Sequence, residues 1–227
     1  MKLFTSCYLA AALLTSAVQA GKLPPPLESP HKQWTDQSSL PPPDGQVCNS
    51  KTSTINNFRI LSQSDADALS SCGTLEGDVT ISAGGTINLP NLLSVSGALN
   101  LTGIGGGSIL SVGLPALKTT GNLTVQFVYS LTLTALKNIT VGDFVVRNNT
   151  FTKLALPKLE HVDGSVAIYD NADLKNLQMS DLESIGGSAA SSGNLTIQDN
   201  PSLTTLTSIN DLNTVKGNIS LSGPFQT

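Results

Sequence analysis

A Gly-hydrophobic-x-hydrophobic unit recurs seven times in this chain, at spacings of 20 to 29 residues. The copies begin at Gly77, Gly97, Gly121, Gly142, Gly164, Gly193 and Gly217. Each opens a short alternating segment: Val79/Ile81, Leu99/Leu101, Leu123/Val125, Phe144/Val146, Val166/Ile168, Leu195/Ile197 and Ile219/Leu221. Period-two alternation after a chain-bending glycine predicts a half-buried strand. Repetition at this period predicts one such strand per coil of a solenoid, each coil burying its apolar side on its neighbours.

A second element precedes most of the glycines: Leu89-Pro90-Asn91-Leu92, Leu114-Pro115-Ala116-Leu117, Leu133-Thr134-Ala135-Leu136, Leu156-Pro157-Lys158-Leu159, Met179-Ser180-Asp181-Leu182 and Ile209-Asn210-Asp211-Leu212. Proline in three copies excludes a helix interior and predicts a turn or edge segment leading into the strand. Val95, Ile139, Val162, Ile185 or Val215 follows, with Thr120 in that place before Gly121. Seven residues beyond the glycine, three copies carry an asparagine: Asn149, Asn171 and Asn200. Leu154, Leu174 and Leu203 come shortly after, and the assembled unit is a relative of the leucine-rich repeat. A buried Asn at a coil corner can hydrogen-bond backbone groups that the turn leaves unpaired, which is the structural role expected here. Ile104 and Val128 occupy the position in earlier copies, so the expected ladder is incomplete.

The N-terminal residues frame the repeat. Lys2, the apolar run Leu3 to Leu14 and Val18-Gln19-Ala20 make residues 1–20 a secretion signal, too short to span a bilayer. Residues 21–47, with Pro24-Pro25-Pro26 and Pro41-Pro42-Pro43, read as an extended or disordered leader. Cys7 leaves with the signal; the remaining pair, Cys48 and Cys72, is most simply a disulfide, since neither CxxC spacing nor a nearby His supports a metal site. Ser64-x-x-Asp67 is a helix-capping signature. Residues 48–76 are therefore expected to form a disulfide-tied helical cap over the first coil, with the repeat occupying 77–227.

Charged residues make up 12% of the chain and the net charge is −4, with no basic patch, which argues against nucleic-acid or anionic-membrane partners. Alternation turns Asn122/Thr124/Gln126, Ser165/Ala167/Tyr169 and Asn194/Thr196/Gln198 outward, a polar and nearly uncharged face. Six Asn-x-Ser/Thr glycosylation acceptors occur: Asn100, Asn122, Asn138, Asn148, Asn194 and Asn218. Three of them, Asn122, Asn194 and Asn218, directly follow a repeat glycine, where glycans would shield the outward face. Polysaccharide-cleaving solenoids use clustered carboxylates. Here Asp170, Asp173 and Asp199 form the one candidate acidic group, and Asx turns account for them more economically. His31 and His161 lie in no nucleophile–base or metal-binding motif. No catalytic residue, cofactor or metal ligand is assigned.

The stretch from Cys48 through Ser62-Gln63-Ser64-Asp65-Ala66-Asp67-Ala68-Leu69-Ser70-Ser71-Cys72 to Leu75-Glu76-Gly77-Asp78-Val79 resembles the start of a fungal cell-wall family. That family comprises GPI-anchored, leucine-rich, receptor L-domain-like proteins of the sporulation-specific and extracellular-mutant type. The resemblance runs from Cys48 to the end of the chain. It implies a mainly β, right-handed, leucine-rich-repeat-like parallel solenoid, heavily mannosylated, that organises the wall without catalysis. The partners it implies are wall polysaccharides or wall glycoproteins. Alternatives are a carbohydrate- or peptide-binding module and a wall polysaccharide-modifying enzyme. The family continues through further repeats, a Ser/Thr-rich stalk and an anchor signal, whereas this sequence stops at Gly223-Pro224-Phe225-Gln226-Thr227. A chain cut short at its C-terminus is therefore expected, with its last coil open.

Overall fold

The computed structural model describes residues 46–49, 57–104, 109–187, 192–206 and 209–225. The expected signal and nearly all of the expected leader lie outside these residues. The fold is a parallel β-solenoid. Its coils have three sides, and every strand pairing among the described residues is parallel, with the same side of the next coil.

The first side stacks β1 (Gln46–Asn49), β3 (Cys72–Glu76), the starts of β6 (Ser94–Gly103) and β8 (Thr119–Gln126), then β10 (Asn138–Ile139), β13 (His161–Val162), β16 (Ser184–Ile185) and β18 (Thr214–Val215). The second side carries the sevenfold alternating segments in chain order. They are β4 (Asp78–Ala83), the remainders of β6 and β8, β11 (Phe144–Arg147), β14 (Val166–Tyr169), β17 (Leu195–Gln198) and β19 (Ile219–Leu221). Ahead of them on this side lies β2 (Asn57–Ile60). The third side is split into two sheets: β5 (Gly85–Asn88), β7 (Leu110–Gly113) and β9 (Val128–Thr132), then β12 (Lys153–Ala155) with β15 (Asn176–Gln178).

The alternation of the sequence is the alternation of the second side. From Val79 through Ile197 the inward pairs are buried in register, for example Leu123 against Phe144 against Val166. Each such Leu, Ile or Val side chain contributes about 1.5–3 kcal/mol by leaving water. The Leu-x-x-Leu elements are four-residue turns that return the chain from the third side to the first. In each of the six, the last amide donates to the first carbonyl, as in Leu92→Leu89 at 3.3 Å and Leu159→Leu156 at 3.2 Å. Both ends of the first five point into the core. Proline fits the second position because its fixed φ is the one a type I turn needs there.

Close approach of neighbouring coils explains the repeated glycine. A Cβ at Gly164 would clash with Asp143 Oδ1 and lie 2.5 Å from the carbonyl carbon of Gly142; at Gly97 and Gly121 it would lie 2.7 Å from the previous coil's backbone. The residue after the glycine uses that proximity. Asp78 Oδ1 accepts from the Ala98 amide (2.8 Å), Asp143 Oδ1 from Ser165 (2.7 Å), Ser165 Oγ from Asn194 (3.1 Å) and Asn194 Oδ1 from Asn218 (2.8 Å).

The corner between the second and third sides holds a second ladder. Phe127, Asn148, Asp170 and Asp199 each turn the chain with positive φ, between 54° and 56°. Asn149, Asn171 and Asn200 follow three of these corners, each buried. Asn171 Oδ1 accepts from both the backbone and side-chain nitrogens of Asn149, and Asn200 Oδ1 does the same for Asn171. Their Nδ2 groups donate to strand carbonyls of the preceding coil: Val125 for Asn149, Val146 for Asn171 and Ile168 for Asn200. The expected structural role of these residues is the observed one.

The N-terminal end differs from the expectation of a capping helix. Strand β1 closes the first side and β2 the second; α1 (Gln63–Asp67) is a five-residue helix against the edge of β5. Gln63 reaches that edge through Nε2 to the Asn88 carbonyl (3.1 Å) and the Asn88 amide to Oε1 (2.8 Å). The helix therefore takes the place of a third-side strand, and does not lie across the end. Its N-cap is Ser62, two residues before the expected Ser64, with Asp65 Oδ2 returning to the Leu61 amide (2.8 Å). Two overlapping Ser-x-x-Asp patterns exist here, and the one that binds the strand-leaving Leu61 amide prevails. The Cys48–Cys72 disulfide is present and joins β1 to β3, strand to strand. β1 also begins at Gln46, inside the expected leader. At the other end Ile219 and Leu221 are 58% and 45% exposed.

Candidate functional site

The second side is the broadest regular surface. Its middle outward row runs Arg59, Thr80, Asn100, Thr124, Val145, Ala167, Thr196 and Ser220, placed by strand register. The next row includes Gln126, Arg147 and Tyr169. The face is thus less uniformly polar than the three outward sets suggested, because β11 contributes Val145 and Arg147. The carboxylates of Asp78 and Asp143 border it, and each has an oxygen held by the next coil's backbone. That geometry suits a scaffold. Asp143 is anchored in place as a hydrogen-bond acceptor for Ser165.

The expected acceptors fall in four places. Asn122, Asn194 and Asn218 begin the second-side strands, with Asn122 and Asn218 exposed and Asn194 half-buried. Asn100 lies mid-face and half-buried between Thr80 and Thr124. Asn138 is half-buried on the first side, between Thr119 and His161. Asn148 stands exposed at a positive-φ corner. Asp170 and Asp199 do stack at neighbouring corners, following the Tyr169–Gln198 register. Both are exposed, as is Asp173 in the turn after Asn171. Among the described residues no three His, Cys, Asp or Glu side chains converge as a metal site requires.

The first side brings together a group that the sequence reading did not. His161 Nδ1 lies 2.9 Å from Ser184 Oγ, and His161 Nε2 lies 4.0 Å from Glu183 Oε2. The signal was available: Val162 and Ile185 are equivalent repeat positions, so the residues before them are neighbours. Next to this trio Lys137 Nζ pairs with Glu160 Oε1 at 2.6 Å. That hydrogen bond holds the Lys137 ammonium above its ordinary value and the Glu160 carboxyl below its own. Lys137, Glu160, His161 and Glu183 all keep much of their side chains in solvent, which screens the Lys137–Glu160 pair. Ser184 and His161 have the contact of a nucleophile and base, on the first-side sheet, and neither lines the two cavities described below.

Two cavities open elsewhere. One, about 230 Å³, lies between α1 and the Leu89-to-Leu92 turn, lined by Ala66, Leu69, Asn88 and Pro90 among others. The other, about 250 Å³, lies on the third side where β9 and β12 belong to separate sheets. Tyr129, Ser130, Leu131, Thr150, Phe151, Thr152 and Lys153 line it. It combines a phenol, hydroxyls and an ammonium with the apolar side chains of Leu131 and Phe151.

The chain is similar to Protein ecm33 of Aspergillus fumigatus, 30% identical over 168 residues. The match covers 63% of this chain and 42% of that protein, so the chain spans less than half of the curated relative's length. No family model matches the chain, and no solved structure matches it. No helix among the described residues is long and apolar enough to cross a membrane.

Proposed function

We propose that this chain is a secreted, non-enzymatic glycoprotein of the fungal cell wall that contributes to wall organisation and integrity. The observation that carries the proposal is the similarity to the fungal ecm33 protein, joined to the capping-cysteine and repeat residues through which the chain resembles the leucine-rich wall family. The physical character of the solenoid supports it. Its second side is largely Thr, Ser, Asn and Ala, its acidic groups Asp78 and Asp143 serve coil-to-coil bonding, and acceptor asparagines stand on two sides and a corner. A stacked solenoid of this kind suits a spacing or organising role, in which stability and surface chemistry matter more than a reacting centre. Its place is the extracellular side of the plasma membrane or the wall itself, held there by the anchor that the resembled family carries.

The test is deletion of the gene in its own host, followed by growth on wall-perturbing dyes and fractionation of an epitope-tagged protein. Hypersensitivity restored by the intact gene, with the tag in the wall fraction, is the expected result. Undiminished dye resistance together with a cytosolic tag would sink the proposal. A wall polysaccharide-modifying activity is the competing reading, favoured by the Ser184–His161 contact alone. It requires release of reducing sugars from wall glucan that Ser184→Ala abolishes.

A further inference from the structure

The corner between the second and third sides carries an exposed apolar group with no counterpart in the later coils. Phe127 is 46% exposed at its positive-φ corner, Tyr129 is 54% exposed on β9, and Ile104 and Ile109 are similarly open in the preceding coil. In the later coils the equivalents of Phe127 are Asn148, Asp170 and Asp199, all polar. Large exposed apolar side chains grouped in this way mark a contact surface.

The adjoining coil indicates what covers them. Arg147 pairs with Gln126, so the next residues in register are Asn148 and Phe127, one strand spacing of about 4.8 Å apart. Asn148-Asn149-Thr150 is a glycosylation acceptor, and its Thr150 amide donates to the Val128 carbonyl at 3.1 Å. The acceptor therefore runs beside Phe127-Val128-Tyr129, and Thr150 and Tyr129 line the same third-side cavity. Asn194 differs, because its carboxamide oxygen is held by the Asn218 amide. Among the described residues the Asn148 carboxamide enters no ladder bond, and its neighbour Asn149 does that work.

The geometry points to Asn148 as a glycosylated residue whose first sugars lie across Phe127 and Tyr129, sealing the apolar corner and the mouth of the cleft. A pyranose has an apolar C–H face and a hydroxyl rim. The face matches an aromatic ring, whose amphipathic body favours one dry and one wet side. The rim meets Ser130, Thr150 and Thr152, which supply hydroxyls, and Lys153, which supplies an ammonium. The glycan then acts as a structural part of the solenoid at a corner that lacks the polar residue found in the later coils. The inference rests on the secreted-glycoprotein reading above.

The experiment is glycopeptide mapping and hydroxyl-radical footprinting of the full chain secreted from a fungal host. It is repeated with Asn148→Asp, which places at this corner the residue type found at Asp170 and Asp199, and with Thr150→Val, which leaves the corner residue untouched. The expected result is a glycan at Asn148 and a severalfold faster oxidation of Phe127 and Tyr129 in both variants, with Tyr169 unchanged as the control. Equal oxidation with and without the glycan overturns the inference, as does an unmodified Asn148 on a chain glycosylated elsewhere. A chain with no glycan at any acceptor overturns both this inference and the secretion reading. Protection of the two rings in the variants on adding soluble wall glucan, and none from the Asn148 glycan, assigns the surface to an external saccharide instead and refutes it.

Discussion

Replacing Asn171 with alanine removes the middle of the corner ladder, and the structure gives the size of the effect. Asn171 is fully buried and its carboxamide lies within hydrogen-bond distance of five partners, three of which share the two Nδ2 hydrogens. Nδ2 donates to the carbonyls of Val146 (3.2 Å) and Tyr169 (2.9 Å) and to Asn200 Oδ1 (3.1 Å); Oδ1 accepts from Asn149 N (3.1 Å) and Nδ2 (3.0 Å). Not all five losses count equally. Asn149 Nδ2 keeps Val125 and Asn200 Oδ1 keeps the Asn171 amide. The Asn149 amide, in contrast, becomes a buried donor facing a methyl group, a loss of about 1–3 kcal/mol. The two carbonyls and the small cavity left behind bring the total to about 3–5 kcal/mol. With a urea m-value of about 2 kcal/mol/M, the denaturation midpoint falls by about 1.5–2.5 M. The measurement is urea unfolding of the oxidised protein by far-UV circular dichroism, with exposed Asn176→Ala as the control. A shift for Asn171→Ala below about 0.5 M, or one no larger than the control's, refutes the argument that the ladder holds adjacent coils together.

Three further outcomes follow from the same geometry. Gly164→Ala forces a Cβ against the Gly142 backbone and is expected to destabilise by about 2 kcal/mol or more, whereas Gly113→Ala meets chiefly the Asn88 carboxamide, which can swing aside. Thermal melting of the pair checks the order, and equal losses defeat it. Paired Cys48→Ala and Cys72→Ala substitutions open a loop with a sequence separation of 24 and are expected to cost about 3 kcal/mol, with amide exchange rising first in β1 and β3; an unchanged exchange pattern there contradicts the strand-to-strand assignment. The Leu61 amide and Ser62 hydroxyl hold the Asp65 carboxyl below its ordinary value. Its contribution to the α1 cap is therefore complete above the unfolded-state value and fades as pH falls through the lower folded one. Amide-resolved NMR titration should show Leu61 and Asp65 shifting together in that acid range, and Asp65→Asn should remove the transition.

Much of this fold was legible because a solenoid repeats its physics at short range. A glycine followed by alternating apolar residues implies a strand wherever it falls, and seven copies leave little choice of architecture. The Leu-Pro-x-Leu turns were readable for the same reason, since proline names the turn position by its φ. The N-terminal end was less legible because its geometry depends on edges. Ser64-x-x-Asp67 and Ser62-x-x-Asp65 are equivalent as strings, and only the Leu61 amide leaving β2 distinguishes them. Whether a helix covers an end or replaces one strand is decided by Gln63 meeting Asn88, a contact across 25 residues that no local pattern encodes. The Ser184–His161 contact was hidden differently. Its residues are ordinary in isolation and meet because the coil length matches; reading the repeat as a lattice, column by column, exposes them.

The three sides of the coil are constrained unequally, and that inequality bears on function. On the second side each outward residue from β4 to β17 has an in-register neighbour on both flanks, and the row after the glycine is committed to backbone acceptance through Asp78, Asp143, Ser165 and Asn194. A substitution there disturbs coil stacking before it alters any surface. The third side is freer. Its strands break into two sheets between β9 and β12, its first member is a helix, and its corner accepts Phe127 in one coil and Asn148 or Asp170 in the next. New surface chemistry costs least where the ladder is already interrupted, since no neighbouring rung has to change with it. The interval from Tyr129 to Lys153 is that place, and it is where a cleft, exposed aromatic residues and a glycan acceptor coincide. A functional search of this solenoid by mutation therefore belongs at the split in the third side, with the regular second side as its structural control.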